Sequence, residues 1–509
     1  MIQGTASHAG KSTLAAALCR VFARDGWRVA PFKAQNISLN AAVTPGGGEI
    51  GVAQAVQARA AGVEPAVEMN PVLVKPAPAG RTQVVVLGRA SAVPLGRGEL
   101  WRAITQSLDR LRAACDVVVI EGAGSPAEVN LRAADLTNMR LARYARAPVL
   151  IVGDIDRGGV FAALAGTTAL LDRADRALVH GFMINKFRGD AKTLRPALRD
   201  LEARTRRPVL GVVPYAPAWR LPEEDAVALD RFRAPSGPPS DGVDEPSLEI
   251  AVVQLPYISN FDEFDALEQE AGVRVRYVRP GARLGRSDLV ILPGSKSTAA
   301  DLAVLRRSGL ADAVREAAVS GTPVLGICAG YQMLGRRIDD PRGVESDRAS
   351  VDGLGLLPHV TTFARTKRTA RVRVRVGGAP PHRGGLAGSW PALEAPGYEI
   401  HMGHSTAAGP AWVRVVERGG RRCDEPAGAA SPDGLVCGTV VHGLFEDAAV
   451  RYALLETLWR RRAPAAGPGG RREARRALTL DERLDGLADL VGRHLDLDRV
   501  RAIAGLPRR

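Results

Sequence analysis

Cys328 lies where a short apolar run, Val324–Ile327, ends in the sequence Gly-Ile-Cys-Ala-Gly. A strand that stops at such a turn directs one side chain out of the edge of its sheet, and the flanking glycines allow a sharp bend and the close approach of a substrate. Backbone N–H groups at the start of a following helix can stabilise a thiolate or an oxyanion. A free cysteine is usually buried and inert, but this turn favours Cys328 as a nucleophile.

A cysteine nucleophile needs a base. His442 is the best candidate because it follows an apolar run, in the sequence Val-Val-His-Gly-Leu-Phe-Glu. His401 and His404 are competitors, whereas His180 lies inside a predicted strand of the other half of the chain. The alternative for His442 is a packed histidine whose hydrogen bonds are satisfied internally.

A second glycine turn follows the apolar run Leu289–Leu292. Its Gly294 N–H could point toward the same reaction centre as the Ala329 N–H, which follows the cysteine directly. Two such donors are what an oxyanion hole requires. We therefore expect Gly294 and Ala329 to stabilise a negatively charged intermediate.

The other end of the chain contains a loop that is typical of phosphate binding. Its small residues let backbone N–H groups surround a polyphosphate, Lys11 supplies a positive charge, and the Ser12 hydroxyl can bind Mg²⁺. Counted from Gly4, the loop has one residue more than the strict G-x4-G-K-S spacing, and the helical run Leu14–Ala23 follows it. The predicted nucleotide-binding residues of this loop are Gly4, Thr5, Gly10, Lys11, Ser12 and Thr13.

Polar residues follow several predicted strands of the N-terminal half, and polar groups repeated at strand ends make a site. Glu121 ends an apolar strand and is predicted to hold Mg²⁺ together with Ser12. Asn185 ends a later strand and could contact the nucleotide base. The remaining candidates face either the nucleotide or the acceptor substrate, and they are Lys33, Gln35, Asn36, Asp154 and Arg157.

Strands alternate with helical stretches in both halves, which predicts an α/β protein with two doubly wound domains. We expect a P-loop parallel sheet over residues 1–232, a Pro-, Gly- and Ser-rich linker over 233–247, a second domain over 248–460 and a helical C-terminal extension over 461–509. The predicted strands of the first domain are Arg28–Phe32, Thr82–Leu87, Val117–Ile120, Val149–Val152, Leu178–Asn185 and Val209–Val213. The first strand is short, since only three residues precede the loop.

Composition narrows the class of protein. The 509 residues suffice for two to four domains, and no apolar stretch is long enough for a membrane span. The net charge of +14 is compatible with nucleic-acid binding. Only seven of the 69 basic residues are lysine, however, so the charge reflects a general arginine bias, and no nucleic-acid-binding motif accompanies it. Five widely spaced cysteines form no disulfide framework. We expect no membrane or nucleic-acid partner, no signal peptide and a cytoplasmic location.

The motifs resemble two known families. The run Gly-Ile-Cys-Ala-Gly-Tyr-Gln with the later His-Gly-Leu-Phe-Glu is similar to class I glutamine amidotransferase domains. The N-terminal half resembles the dethiobiotin-synthetase-like ATPases, whose phosphate loop also carries the additional residue. In this order, the two halves resemble the amide-forming synthetases of the cobalamin pathway. The segments that carry this likeness include Phe32–Asn40, Glu121–Glu128 and Gly397–Gly403.

The resemblance implies the chemistry. Cys328 would form a glutamyl thioester with His442 as its base, while ATP and Mg²⁺ activate a carboxylate of a large anionic corrinoid. The acceptor it implies is adenosylcobyrinic acid a,c-diamide, amidated at carboxylates b, d, e and g. Many family members carry a Glu two residues after the histidine, where this chain has Leu444. Either Glu446 orients His442, or no carboxylate does.

Three alternatives remain open. A cobyrinate a,c-diamide synthase would have the same two domains but would use other carboxylates, and the segment Lys33–Asn40 argues against it. The cell-wall lipid amidation system pairs related glutaminase chemistry with a different partner, usually on two chains. A partitioning-type ATPase switch would lack synthetase activity and would usually carry a lysine early in its loop, where this chain has none.

Overall fold

The structure is a computed structural model. It describes residues 1–78, 82–91, 93–224, 247–377, 385–387, 390–406, 411–462 and 478–507. The predicted linker over 233–247 therefore lies outside the described residues except for its last position.

The N-terminal half contains short strands separated by helices. Its strands are β1 (Ile2–Gly4), β2 (Val29–Phe32), β3 (Gln35–Ile37), β4 (Ala41–Val43), β5 (Glu49–Gly51), β6 (Val72–Lys75), β7 (Gln83–Val86), β8 (Arg89–Ala90), β9 (Val117–Ile120), β10 (Val149–Asp154), β11 (Val179–Phe187) and β12 (Val209–Pro214). Its helices are α1 (Lys11–Arg24), α2 (Val52–Ala60), α3 (Arg97–Ala114), α4 (Met139–Ala145), α5 (Val160–Leu170), α6 (Arg173–Leu178) and α7 (Arg195–Thr205).

A parallel sheet forms the centre of this half. Strands β1, β10, β11 and β12 pair in that order, β2 pairs with β9, and a parallel bridge from Ile2 to Glu121 joins the two groups. The strands are apolar on both faces because helices cover both. Their carboxyl ends consequently meet at one edge, where the phosphate loop and the polar strand-end residues lie.

The segment between β2 and α2 differs from the prediction. The residues between the predicted strands have helical composition, yet β3 joins β6 in a second sheet, and β4 and β5 form a hairpin. Strand β7, predicted to belong to the parallel sheet, pairs antiparallel with β6 instead. Local composition could not reveal this arrangement because the hairpin packs against the other half of the chain.

The C-terminal half contains a second α/β unit and a long antiparallel sheet. Its strands are β13 (Leu248–Val253), β14 (Val273–Val278), β15 (Leu289–Leu292), β16 (Val324–Ile327), β17 (Arg337–Asp339), β18 (Ser350–Asp352), β19 (Val360–Val376), β20 (Leu393–Ser405), β21 (Val413–Arg418), β22 (Arg421–Pro426), β23 (Gly428–Ala430), β24 (Val436–Thr439) and β25 (Val441–His442). Its helices are α8 (Asp265–Glu268), α9 (Thr298–Arg307), α10 (Leu310–Val319), α11 (Ala329–Leu334) and α12 (Ala448–Arg462).

The first sheet of this half has the order β14-β13-β15-β16-β24-β23, and it is parallel except for β23. Strands β15 and β16 are neighbours, so the turns that follow them lie side by side. In the second sheet, β25 pairs with β20, which in turn pairs with β19 along most of its length. This pairing places Tyr398 opposite His442.

The two halves contact each other through the β4–β5 hairpin. Ala41 and Val43 pack with Ile400 in one apolar cluster. Beside it, the Glu49 carboxylate forms ion pairs with Lys75 and, at 2.5 Å, with Lys367 of β19. Burial raises the pKa of Glu49, but the two ammonium groups more than offset that effect and lower it to about 2. The buried carboxylate therefore stays ionised and holds the hairpin against β19.

The chain ends with α13 (Leu480–His494) and α14 (Leu497–Ile503), which return to the N-terminal half. Leu484 and Leu487 of α13 belong to the same apolar cluster as α1. Around this contact, Arg20 and Arg24 of α1 pair with acidic residues on the facing side of α13. The predicted C-terminal extension is therefore docked on the first unit of the chain.

Candidate active site

Cys328 occupies a strained turn between β16 and α11. Its φ of 51° and ψ of −107° are rare for a residue with a side chain. The Cys328 N–H donates to Thr439 O at 2.7 Å, which ties the turn to the neighbouring strand β24. A Cβ atom on Gly330 would overlap the Leu292 carbonyl, so only glycine lets α11 approach β15 this closely. The geometry is that of a nucleophile held at the edge of a sheet.

His442 lies beside this cysteine at the end of β25. The carboxylate of Glu263 binds its Nδ1 at 3.0 Å, and the sulfur of Cys328 lies close enough to interact with the ring. Burial lowers the pKa of His442, but the charge of Glu263 and that of the Cys328 sulfur more than offset it and raise the pKa to about 10. The arrangement keeps the imidazole in its protonated form beside the sulfur of Cys328.

Glu263 is the residue that the sequence analysis missed. It lies on a 3-10 turn, Phe261–Phe264, and it is 2 % exposed. Its second oxygen accepts a hydrogen bond from the Gly443 N–H at 3.2 Å, so both oxygens are committed to the histidine segment. The sequence analysis left two alternatives, that Glu446 orients His442 or that no carboxylate does. Both are wrong, because the carboxylate that contacts the ring is that of Glu263. The available signal was an acidic residue enclosed between Phe261 and Phe264, where a buried carboxylate needs a partner.

Gly294 follows β15 and Ala329 follows the nucleophile directly after the neighbouring strand β16. A Cβ atom on Gly294 would come within 2.8 Å of His442 Cε1, so this turn runs directly past the imidazole. The Gly294 carbonyl accepts from the Ser259 N–H at 2.9 Å, and the Gly330 N–H donates to Pro293 O at 3.1 Å. Within the described ranges, no backbone hydrogen bond uses the N–H of Gly294 or of Ala329. Both donors are thus free to face a reacting carbonyl.

The competing histidines have other partners. His401 is buried with its Nδ1 3.1 Å from Gly403 O and its Nε2 3.8 Å from Glu399. His404 is exposed, and His180 is exposed on β11 with its Nδ1 at Leu178 O. Of the four histidines considered, His442 is the one whose pKa the neighbouring Cys328 sulfur raises.

The phosphate loop is held open by contacts from the neighbouring strands. Gly10 has a φ of 98°, and a Cβ there would overlap the Asn185 side chain, whose Nδ2 donates to Ala9 O at 3.1 Å. Lys186 donates to His8 O at 2.7 Å. Thr5 N–H donates to Val152 O at 2.9 Å, so Gly4 and Thr5 anchor the loop to β10.

Lys11 lies inside the loop, where its Nζ donates to Ala6 O at 2.9 Å and to Gly124 O at 3.0 Å. Burial lowers the pKa of Lys11 to about 8. The two carbonyl oxygens that accept from Lys11 carry only partial negative charges, so they do not neutralise the charge of its ammonium group. A polyphosphate would supply that charge and favour the protonated lysine.

A hydroxyl and a carboxylate meet beside the loop. Ser12 Oγ donates to Glu121 Oε1 at 2.8 Å, and Gln57 Nε2 donates to the other Glu121 oxygen at 2.6 Å. Lys33 Nζ lies 3.0 Å from Glu121 Oε1. Hard oxygen donors of this kind are the ligands that Mg²⁺ prefers, and it usually takes few from the protein and the rest from phosphates and water. The two residues fit the ion that the sequence predicts.

Lys33 and Asn36 are joined by Glu224, which the sequence analysis did not select. One Glu224 oxygen lies 3.0 Å from Lys33 Nζ, and the other accepts from Asn36 Nδ2 at 2.5 Å. Burial lowers the pKa of Lys33, but Glu121 and Glu224 raise it well above its usual range. The ammonium is therefore a fixed positive charge between two carboxylates.

A cavity of about 910 Å³ collects most of the predicted residues of the N-terminal half. Among those lining it are Gly10, Lys11, Ser12, Thr13, Lys33, Gln35, Asn36, Glu121 and Asn185, together with Glu224. Asp154 and Arg157 are not among the described residues that line it. Asp154 pairs with Lys186 at 2.8 Å, and the Arg157 side chain is 72 % exposed.

One wall of the cavity is apolar. Trp219 follows β12, and Leu487 and Leu490 come from α13 near the end of the chain. Tyr215 is covered by the Arg188 guanidinium, which lies 3.7 Å from the ring centroid. An apolar wall next to a phosphate loop suits the flat base of a nucleotide.

Comparisons with known proteins agree with both halves of this description. Residues 1–227 match the CobQ/CobB/MinD/ParA nucleotide binding domain, and residues 249–450 match the CobB/CobQ-like glutamine amidotransferase domain. The fold and the site thus define a glutamine amidotransferase joined to a P-loop nucleotide-binding domain.

The similarity to curated relatives extends over the whole chain. A cobyric acid synthase of Moorella thermoacetica is 50% identical over 100% of this chain and 97% of its own length. Another, from Sorangium cellulosum, is 52% identical over 100% of this chain and 99% of its own length. Among solved structures, PurLQS of Thermotoga maritima covers 42% of this chain and 98% of its own with 20% identity and a TM-score of 0.31. The chain belongs to the cobyric acid synthase family.

These findings confirm the predicted fold class and the predicted enzyme class, a glutamine-hydrolysing amide ligase. The nucleotide-binding domain implies ATP as the nucleotide, and the family implies glutamine and a corrinoid as substrates. None of the helices in the described ranges has both the length and the apolar character that crossing a bilayer requires.

Proposed function

We propose that this protein uses ATP and glutamine to amidate carboxylates b, d, e and g of adenosylcobyrinic acid a,c-diamide, giving adenosylcobyric acid. The observation that carries the proposal is the full-length similarity to cobyric acid synthases, together with a cysteine site and a nucleotide cavity in one chain.

In the glutaminase half, Cys328 Sγ attacks the side-chain amide carbon of glutamine. Charge develops on the amide oxygen, toward which the N–H groups of Gly294 and Ala329 are available. His442 gives its proton to the departing nitrogen, so ammonia leaves and a glutamyl thioester remains. Water then hydrolyses the thioester to glutamate, with His442 taking a proton from the water and Glu263 holding the ring in place.

In the synthetase half, a carboxylate oxygen of the acceptor attacks the γ-phosphorus of ATP, giving an acyl phosphate and ADP. Ammonia attacks the acyl carbon, phosphate leaves, and the amide forms. Lys11 and Lys33 neutralise charge on the transferring phosphoryl group. Ser12 and Glu121 would hold Mg²⁺, which supplies further charge neutralisation at the phosphates.

A Cys328→Ser variant tests the glutaminase site. A serine hydroxyl beside this histidine is a far weaker nucleophile than a thiolate, so glutamine-dependent amidation should fall by roughly 10²-fold or more. Amidation from free ammonia should be retained. Mass spectrometry of the corrinoid after incubation with ATP and either nitrogen source measures both. Loss of both activities would place Cys328 elsewhere in the reaction.

A Lys11→Ala variant tests the nucleotide site. Amidation should stop with either nitrogen source because the phosphoryl group loses its positive charge, whereas basal glutamine hydrolysis should persist. Product mass in the unmodified enzyme also identifies the carboxylates used. Addition of four amide groups to the diamide supports the proposal, and conversion of cobyrinic acid to its diamide would support the nearest alternative instead. An amidation rate unaffected by Lys11→Ala would remove the phosphate loop from the mechanism.

A further inference from the structure

Asn260 lies at the point where the two halves of the protein meet the glutaminase site. It is 1 % exposed, and its φ of 55° is in the left-handed region, which asparagine tolerates better than most residues. It begins the 3-10 turn that carries Glu263, and its carbonyl accepts from the Glu263 N–H at 3.3 Å. The position of Asn260 therefore sets where this turn starts.

Both N–H bonds of the Asn260 amide are used. Nδ2 donates to Ala41 O at 2.6 Å and to the Tyr398 hydroxyl oxygen at 2.7 Å. Ala41 belongs to β4 of the N-terminal half. Its carbonyl can only accept a hydrogen bond, so the orientation of the Asn260 amide is determined by the hairpin.

Tyr398 continues this contact to the histidine. Its ring stacks on His442 with centroids 5.4 Å apart and an interplanar angle of 14°. Asn260 thus supports two neighbours of the imidazole, the Tyr398 ring on its face and Glu263 at its Nδ1. None of these contacts involves the reacting atoms.

We propose that Asn260 is a positioning residue for glutamine hydrolysis, through which the seating of the β4–β5 hairpin sets the alignment of His442. This inference rests on the proposed function of the cysteine site. Asn260 does not touch the substrate, and its effect is transmitted through Tyr398 and the turn that carries Glu263.

The same hairpin segment also contacts the nucleotide cavity. Asn40, next to Ala41, donates from Nδ2 to Glu223 O at 2.8 Å, and Ser38 Oγ donates to Glu224 O at 3.0 Å. The Glu224 carboxylate pairs with Lys33 inside the cavity. Hydrogen bonds, the peptide link from Asn40 to Ala41 and the stacked ring of Tyr398 therefore connect the phosphate-binding side with the histidine of the glutaminase site.

An Asn260→Gly variant tests the proposal in the full-length protein. Glycine adopts the same φ without strain and removes only the side chain. We expect basal glutamine hydrolysis to lose about 10²-fold in kcat, the size of effect that small misplacements of catalytic groups produce. The KM for glutamine should change little because no substrate contact is removed.

The pH profile separates positioning from a purely structural role. The titratable groups that face His442 are Glu263 on the turn, Cys328 after β16 and Tyr398 on β20, with Asp262 and Glu446 near Tyr398. A looser Glu263 contact stabilises the imidazolium less. The alkaline limb of kcat/KM should therefore move to lower pH in Asn260→Gly.

Two further variants make the test specific. Asn260→Asp has the same shape, but its ionised carboxylate cannot donate to the Ala41 carbonyl, so it should reproduce the lower kcat. Lys367→Gln weakens the seating of the same hairpin at Glu49 without touching Tyr398 or His442, so it should lower kcat and move the limb in the same direction.

A wild-type kcat in both Asn260 variants would overturn the proposal, as would an unshifted alkaline limb in Asn260→Gly or a wild-type kcat and pH profile in Lys367→Gln. The proposed function fails on a different result, namely glutamine hydrolysis that persists in Cys328→Ser. The two ideas are therefore tested independently.

Discussion

At the scale of single residues, the most consequential contact is the one between His442 and Glu263. A buried imidazole would ordinarily be neutral, since burial disfavours its charged form. Here the Glu263 carboxylate and the nearby Cys328 sulfur reverse that preference. His442 is thus protonated and oriented before glutamine arrives, ready to give its proton to the departing nitrogen.

Replacing Glu263 by Gln should lower kcat for glutamine hydrolysis by roughly 10²-fold, within the range of general acid–base effects. Without the carboxylate, the pKa of His442 falls from about 10. The imidazolium is then lost at lower pH, so the alkaline limb of the pH profile moves down. Steady-state glutamine hydrolysis measured from about pH 6 to about pH 10.5 gives both kcat and the position of the alkaline limb, because this range covers the ordinary pKa of histidine and the raised one.

Glu446→Gln is the matched control for that experiment. Glu446 also lies next to the histidine segment, but its carboxylate does not contact the ring, and burial raises its pKa. Its amide variant should retain the wild-type profile. If Glu446→Gln moved the limb and Glu263→Gln did not, the assignment of the third residue would be wrong.

At the scale of elements, the nucleophile depends on how closely α11 approaches β15. Gly330 permits this approach, because its position faces the Leu292 carbonyl without a side chain between them. The Cys328 turn, the Gly294 turn and the end of β24 then fall within one small region. Sheet order, and not any single contact, brings the reacting groups together.

A Gly330→Ala substitution should therefore destabilise the C-terminal half by about 1–3 kcal/mol, as overpacking against a backbone does. It should also reduce glutamine hydrolysis, since α11 must move. Chemical denaturation monitored by tryptophan fluorescence measures the first effect, and a glutaminase assay measures the second.

Gly166→Ala provides the comparison. Gly166 lies within α5, and a Cβ there meets no atom within 4 Å. The variant should be more stable by about 0.5–1 kcal/mol, the usual gain from alanine in a helix. Equal destabilisation in both variants would mean that close packing is not what requires glycine at position 330.

The sequence predicted these elements unevenly. The strands at continuous apolar runs such as Val117–Ile120 and Val324–Ile327 were predicted correctly. A parallel strand that is buried on both faces consists almost entirely of apolar residues, and such a run is visible in the sequence. The β4–β5 hairpin was not predicted, since its stability comes from contacts with β19 and β20 more than 300 positions away. Partners that distant leave no local pattern.

The site was predicted in the same uneven way. The predictable residues are those that belong to short motifs of consecutive residues, each forming a single turn. They are Cys328, His442, Lys11 and Ser12. Glu263 and Glu224 act from loops that only the tertiary fold brings near their partners. Their roles depend on which residues they meet, and a carboxylate in a loop has no distinctive local signature.

At the scale of the whole molecule, the last segment completes the first domain. Helix α13 contributes Leu487 and Leu490 to the wall of the nucleotide cavity and packs on α1, which starts at Lys11 of the phosphate loop. The chain therefore closes on itself, and the nucleotide site is built from residues at both ends.

A Leu487→Ala variant should lower the stability of the N-terminal half by about 2–5 kcal/mol, the usual cost of truncating a buried leucine. It should also weaken ATP binding, because the apolar wall recedes from the nucleotide. Thermal unfolding with and without ATP measures both effects.

Leu478→Ala is the control, since Leu478 belongs to the same terminal segment but is 39% exposed. It should change neither quantity. If Leu487→Ala lowered stability while the stabilisation by ATP stayed intact, α13 would support the domain without forming part of the nucleotide site.

The buried Glu49 carboxylate pairs with two lysines, Lys75 and Lys367, although lysine is rare in this arginine-rich chain. Of the seven lysines, Lys192 alone is fully on the surface, and the others are Lys11, Lys33, Lys75, Lys186, Lys296 and Lys367. A guanidinium is a wide planar fork, whereas an ammonium is a compact point charge, so the two cannot be exchanged in a tight space. In a chain that uses arginine for most of its positive charges, the six lysines that are buried or half-buried therefore stand where a compact cation fits.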